Sequence, residues 1–149
     1  MEQPKVELAG DAWVDLARSY LEERVGSLGD ALHDVDFSLC EVFRNPPPHL
    51  DDGSGRLAWW FRIHGSTAEV GRGDRADVDG RYEVDYHEVL PRARLVYDLG
   101  DPSIAEMLRR QAEDDRRARE AAGKPPLELS PAVRKLLLDL HNFLAVRTA

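Results

Sequence analysis

The sequence predicts an α+β domain in which an antiparallel sheet of about four or five strands is covered on one face by an N-terminal and a C-terminal helix. Two observations lead to this prediction. The hydrophobic period changes along the chain from helical to alternating and back to helical. Each predicted strand has one apolar face, and the first and last predicted helices each carry an apolar stripe that needs such a face to pack against.

Composition limits the classes of partner. The chain of 149 residues, 42% of them hydrophobic, predicts a single domain over residues 1–149. A net charge of −8 without a segregated basic patch argues against nucleic acid or an anionic membrane surface as a partner. Cys40 is the single cysteine, so an internal disulfide and a cysteine-based metal site are excluded. The N-terminus lacks the apolar core of a secretion signal, and no apolar run approaches the roughly 20 residues of a membrane span, which predicts a cytoplasmic protein without membrane insertion.

The first half of the chain alternates between regular elements and loops. Residues 11–25 carry apolar side chains at helical spacing, which predicts an amphipathic helix. Val35, Phe37 and Leu39 alternate with polar neighbours and predict a first strand. Residues 45–55 contain three successive prolines and several acidic residues and glycines, so they are expected to form a loop long enough to act as a lid.

The next stretch has the richest aromatic content. Its apolar residues fall on one face of a predicted strand, and these are Leu57, Trp59, Phe61 and Ile63. Gly65 and Ser66 suit a tight turn, residues 67–72 return as a partner strand, and residues 77–84 alternate as a third. The three strands therefore predict a meander with one solvent-exposed face.

The remainder of the chain is predicted to be helical. Asp85 and Glu88 have the spacing of a capping box, but Pro91 favours a short element that restarts at Pro91 and runs through Tyr97. A charged helix is predicted over residues 101–123, beginning with an N-cap and a proline and ending at a glycine. Its second half, residues 113–122, has almost no apolar side chain to bury and is expected to be solvent-exposed and mobile.

A second start signal opens the last helix. Ser130 and Pro131 have the same N-cap and proline arrangement. The helix then carries an apolar stripe, formed by Val133, Leu136, Leu137, Leu140, Phe143 and Leu144. A stripe of this width predicts that the helix docks on the sheet.

The order of these elements resembles the sterol carrier protein type two family of lipid-binding domains. The resemblance extends from Leu57 to Tyr97 and rests on the segment FRIHGSTAEVGRGDRADVDGRYEVDYHEVL, with its strand, tight turn, short strand, acidic link and strand leading into a helix. In that family, strands and a C-terminal helix enclose an apolar tunnel for sterols, fatty acids or acyl thioesters. The resemblance therefore implies binding or transfer of a hydrophobic molecule.

From these observations we predict a cavity that binds a sterol-like or fatty-acyl molecule without transforming it. The residues expected to enclose it are Trp59, Phe61, Ile63, Leu136, Leu140 and Phe143. The same residues would also serve as ordinary sheet core. No cofactor is predicted, and the five histidines lack metal-ligand spacing.

Two other classes of function stay open. A small cavity enzyme of isomerase, dehydratase or cyclase type would use a buried histidine or aspartate. The candidates for that role are His141, His64, His87, Asp36 and Asp85, and His141 is favoured because it borders the apolar stripe. A protein-interaction module would instead dock through the face of Trp60 or through the last helix. A homo-oligomer is compatible with each class. A carrier should have an apolar cavity without convergent polar groups. An enzyme should have the same cavity together with a carboxyl or histidine whose pKa is shifted.

Overall fold

A computed structural model describes residues 4–51 and 53–149, which form four α-helices and four β-strands. The helices are α1 (Asp11–Leu28), α2 (Tyr86–Ala93), α3 (Pro102–Ala121) and α4 (Pro131–Ala145). The strands are β1 (Asp36–Arg44), β2 (Arg56–His64), β3 (Thr67–Arg72) and β4 (Gly80–Asp85). Two short 3-10 turns lie at Gly29–Leu32 and Pro48–Leu50. The predicted α+β class with a four-stranded sheet is confirmed.

The sheet is mixed, which corrects the prediction of a wholly antiparallel meander. The strand order is β3-β2-β1-β4. Both β1–β2 and β2–β3 are antiparallel pairs, and the turn between β2 and β3 contains Gly65 at a φ of 57°. The last strand, β4, does not pair with β3; it lies on the other side of β1 and runs parallel to it. β1 is therefore a central strand with a partner on each side.

The connection from β3 to β4 crosses the outer face of the sheet, the face opposite the helices. Residues 73–79 pass across that face from β3 to β4, and they cover a small apolar cluster that contains Cys40, Val42 and Ala58. The crossover is fixed at its end because Asp79 accepts hydrogen bonds from the backbone N–H and the hydroxyl of Ser38, at 2.8 and 3.2 Å. The face predicted to be solvent-exposed therefore carries a second, smaller core.

The opposite face of the sheet packs on the first and last helices, as predicted. Helix α1 buries Trp13, Val14, Ala17, Leu21 and Val25. Helix α4 buries Val133, Leu136, Leu140, Leu144 and Ala145. The Trp13 ring meets the Trp59 ring edge to face at 5.0 Å, which joins α1 to β2.

Helix α2 differs from the predicted short element after Pro91. It begins at Tyr86 and contains Pro91, whereas the prediction placed Pro91 at the start of an element. The Asp85 side chain accepts hydrogen bonds from the backbone N–H groups of His87 and Glu88, so this N-cap fixes the start. Pro91 removes one backbone donor, and the helix ends at Ala93, two residues further on. Residues 95–98 have no regular secondary structure.

Helix α3 is the most exposed helix of the fold. No residue of α3, which the structure describes completely, is buried. Within residues 113–122 the side chains are exposed or half-buried, in agreement with the prediction of solvent exposure. Mobility of this segment stays a prediction.

We expect the amide hydrogens of residues 113–122 to exchange much faster than those of α4 in hydrogen-exchange mass spectrometry, because few buried contacts oppose local opening. Equal protection of the two helices would contradict this expectation.

Candidate functional site

A cavity of about 360 Å³ lies between the apolar face of the sheet and the helices. Most of its wall is apolar and consists of Leu8, Trp13, Leu39, Phe43, Trp59, Phe61, Val84, Val89, Ala93, Leu137, Leu140 and Leu144. Six polar or partly polar side chains complete it, namely Glu41, Tyr82, Arg92, Tyr97, Gln111 and His141. The lining residues come from the N-terminal segment, from three strands and from all four helices.

Incomplete coverage of β1 and β4 leaves this space open. Phe37 and Phe43 are buried on the interior face of β1, whereas Leu39 and Glu41 between them are only half-buried. Since Leu39 and Glu41 both line the cavity, the surface they retain faces it. Helix α1 packs over β3 and reaches β2 through Trp13. The half of the sheet formed by β1 and β4 is thus the half under the cavity.

Glu41 lies at the centre of the sheet and is the acidic residue of the cavity. In the register of the strands it is opposite Trp59 on β2 and opposite Tyr82 on β4, so the three side chains form one row across the sheet. Its Oε1 accepts a hydrogen bond from the indole N–H of Trp59 at 3.1 Å. Its Oε2 has no hydrogen-bond partner, and neither oxygen has an ion-pair partner, among the described residues. Burial raises the pKa of this carboxyl, and the hydrogen bond from Trp59 opposes that rise only in part.

Two of the remaining polar groups come from α3 and β4. The Nε2 of Gln111 is buried and has no hydrogen-bond partner among the described residues. Burial, followed by the nearby carboxylate of Asp115, raises the pKa of Tyr82 to about 12, so this phenol stays protonated at neutral pH. Asp115 is four residues after Gln111 on α3, hence one helical turn away on the same face. Gln111 therefore lies on the face of α3 that carries Asp115, and it lines the cavity together with Trp59, Glu41 and Tyr82.

His141 occupies another part of the cavity wall. Its ring stacks on the Tyr97 ring with centroids 3.6 Å apart and an interplanar angle of 8°. Its Nε2–H donates a hydrogen bond to the carbonyl oxygen of Leu95 at 2.7 Å. Burial lowers the pKa of His141, although the hydrogen bond to Leu95 opposes this. His141 thus holds the segment after α2 against α4 and presents one ring edge to the cavity.

The other predicted acid–base candidates lie away from the cavity. His64 is exposed, with its Nδ1 at 3.5 Å from Asp36, and Asp36 forms a two-point hydrogen-bonded ion pair with Arg62. Asp85 caps α2 and also accepts a hydrogen bond from Asn45. His87 is exposed on α2. Of the five candidates, the structure brings only His141 to the cavity.

The predicted ligand-contacting residues divide into two groups. Trp59, Phe61 and Leu140 line the cavity. Ile63 and Leu136 are buried in the core outside the lining. Phe143 is half-buried; its ring stacks on Tyr20 at 4.6 Å, where α1 meets α4, and it is outside the cavity lining as well.

Sequence reasoning overlooked Glu41 and Gln111. A signal for Glu41 was present, because it follows Phe37 and Leu39 in the alternation and precedes Phe43, so a carboxyl was placed on the apolar face of a strand. A charged side chain at such a position is uncommon in a core. Gln111 had no such signal, since it belongs to a helix that the sequence describes as solvated.

The outer face carries the second tryptophan of the aromatic stretch. Trp60 is covered by Arg75, whose guanidinium lies 4.3 Å from the centre of the ring. Gly71 lies directly under the indole, and any side chain at this position would collide with it. The acidic residues of the crossover are paired: Asp77 with Arg75, and Asp74 with Arg81. Burial raises the pKa of the Cys40 thiol, the direction expected for an unreactive thiol.

Comparison of the chain with protein-family models, with curated proteins and with solved structures finds no match. None of the described helices has the length and apolar character needed to cross a membrane. Within residues 4–51 and 53–149, histidine, cysteine and acidic side chains do not form a group of three or more that could hold a metal ion.

Proposed function

We propose that this protein binds a hydrophobic small molecule, of sterol-like or fatty-acyl character, in the cavity under α2, α3 and α4 and carries it without transforming it. One observation supports this proposal above the others: Leu39 and Glu41 on the central strand keep accessible surface on the face of the sheet that packs against the helices. Cavities that bind small molecules typically have volumes of about 300–1,000 Å³ and mostly apolar walls with a few polar groups. The cavity of about 360 Å³ fits the lower part of that range.

The packing of the protein gives this observation its weight. Apolar surface that faces an open cavity stays in contact with water, which is unfavourable relative to burying it. Here large side chains line the cavity, among them Trp13, Trp59 and Phe61. A ligand of matching shape would cover apolar surface and stabilise the folded state.

Ligand-dependent stability tests the proposal. We expect at least one member of a panel of sterols, fatty acids and acyl thioesters to raise the melting temperature. A ligand that binds only the native state adds about 2.7 kcal/mol at 100 times its Kd. The same ligand should alter the fluorescence of a Trp60→Phe variant, because both remaining tryptophans, Trp13 and Trp59, line the cavity.

The control is the thermal response of the Trp60→Phe variant, which should equal that of the parent because Trp60 lies on the outer face of the sheet. A panel that leaves melting and fluorescence unchanged would reject the carrier hypothesis. The hypothesis of a protein-interaction module would then be favoured over the carrier hypothesis. Large apolar side chains exposed on the described surface are Leu95, Val96, Leu99 and Val146.

Glu41 favours a second candidate function, acid–base chemistry on the bound molecule. Its carboxyl faces the cavity and its pKa is raised by burial, which is the direction that suits a general acid or base near neutral pH. A suitable test is proton exchange at the carbon next to the carbonyl of octan-2-one in D₂O, followed by NMR. Exchange that is faster with the protein and lost in the Glu41→Gln variant would support chemistry, and exchange at the solvent rate would argue against it.

A further inference from the structure

Two polar groups inside the cavity have unused hydrogen-bonding capacity. Oε1 of Glu41 is engaged by Trp59, and Oε2 has no partner in the described part of the chain. The Nε2 of Gln111 is buried and likewise lacks a partner among the described residues. Buried donors in native proteins are nearly always paired, so the unpaired Nε2 of Gln111 calls for an explanation. Oε2 of Glu41 is an acceptor, and both residues line the same cavity.

The two groups are connected through Tyr82 on β4 and Asp115 on α3. Glu41 on β1 and Tyr82 on β4 are register partners. The carboxylate of Asp115 on α3 contributes to the raised pKa of Tyr82. Gln111 lies one helical turn before Asp115 on the same face of α3. The cavity is therefore lined by Glu41 from β1 and by Gln111 from α3.

We propose that the ligand of this cavity carries a neutral hydroxyl group at one end, which donates a hydrogen bond to the carboxyl of Glu41 and accepts one from Nε2 of Gln111. This inference rests on the proposed function. A hydroxyl is both donor and acceptor, so a single group can pair with both residues. The rest of the ligand is apolar, since the remaining wall is mostly apolar.

Ligands with other end groups would pair less well with Glu41 and Gln111. A hydrocarbon end would form no hydrogen bond with either side chain. A carboxylate end has no proton to donate to Glu41 and brings a second negative charge next to it. Arg92 also lines the cavity, but it is exposed, so its charge is largely solvated. The arrangement therefore favours an alcohol over a fatty acid of the same length.

A matched series of eight-carbon probes tests this inference. Octan-1-ol, octanoate and octane share one chain and differ in their end group, and their Kd values can be measured by the fluorescence of Trp13 and Trp59 in the Trp60→Phe background. We expect the alcohol to bind about tenfold more tightly than either of the other probes, because the cost of leaving polar groups unpaired corresponds to at least that factor.

Two variants assign the effect to the named residues. Gln111→Leu should weaken octan-1-ol about tenfold and leave octane unchanged. Glu41→Gln should reduce the preference for the alcohol over octanoate, since it removes the charge and keeps the shape. Octanoate binding as tightly as the alcohol, or an unchanged alcohol affinity in Gln111→Leu, would overturn the inference. If octane and octanoate bind but the alcohol has no advantage, only this inference fails. If no probe binds, the proposed function fails.

Discussion

Replacing Leu136 with alanine is expected to lower the free energy of unfolding by about 2–5 kcal/mol. Leu136 lies on the apolar stripe of α4 and is 1% exposed. The substitution removes contacts and leaves a cavity in a region held by the sheet and by α1, where neighbouring side chains cannot easily collapse into the space. Urea denaturation followed by circular dichroism measures the change, and the dependence on urea concentration should stay the same.

Leu138 on the same helix provides the matched control. It is only half-buried and does not belong to the apolar stripe. Leu138→Ala makes the same chemical change with less burial, so its cost should be clearly smaller than that of Leu136→Ala. Equal losses in the two variants would show that α4 is not docked through the stripe containing Leu136, Leu140 and Leu144.

The helix starts could be predicted because their determinants are local. The hydroxyl of Ser130 accepts a hydrogen bond from the backbone N–H of Val133, three residues away. Asp101 caps α3 through the N–H of Ser103 in the same manner. Such contacts depend on the identity of a few neighbouring residues, which the sequence states directly. Pro91 was misjudged because the capping by Asp85 and the burial of Tyr86 outweigh the loss of one backbone donor.

The pairing of β4 could not be predicted, because alternation is the same in parallel and antiparallel strands. The choice depends on which surface the crossover covers. Cys40 and Val42 on β1 form, together with Ala58 on β2, an apolar patch that residues 73–79 cover. That patch exists only once β1 and β2 are paired, so it is a property of the sheet and not of a single segment.

The candidate site was predictable in its apolar part. Trp59, Phe61 and Leu140 lie on faces that simple periodicity identifies, and they line the cavity. Phe143 also follows the helical stripe, but it lies at the edge where α1 and α4 meet, and its ring stacks on Tyr20. The polar part was harder, because Gln111 acquires its place from the position of α3 above the sheet, which no local pattern encodes.

Glu41→Gln is expected to make the protein more stable at pH 8 and to leave its stability nearly unchanged at pH 4. Burial raises the folded-state pKa of Glu41 above its ordinary value of 4.5. Below that ordinary value both the folded and the unfolded chain hold the proton, so the carboxyl has no net effect. Above it the unfolded chain releases the proton first, which favours unfolding progressively until the folded-state pKa is passed. The parent protein should therefore lose stability relative to Glu41→Gln as the pH rises.

The effect is expected because no cationic side chain among the described residues pairs with Glu41. Burying a carboxylate without a cationic partner costs stability unless it takes up a proton, and within residues 4–51 and 53–149 only the indole N–H of Trp59 offsets that cost. Glutamine at this position can still accept that hydrogen bond, so the comparison isolates the charge. Glu69→Gln is the control, since Glu69 is exposed on β3, and its stability profile should follow that of the parent. If urea midpoints of the parent and of Glu41→Gln stay parallel from pH 4 to pH 8, Glu41 is not shielded from solvent, and the acid–base candidate and the proposed hydroxyl recognition both lose their support.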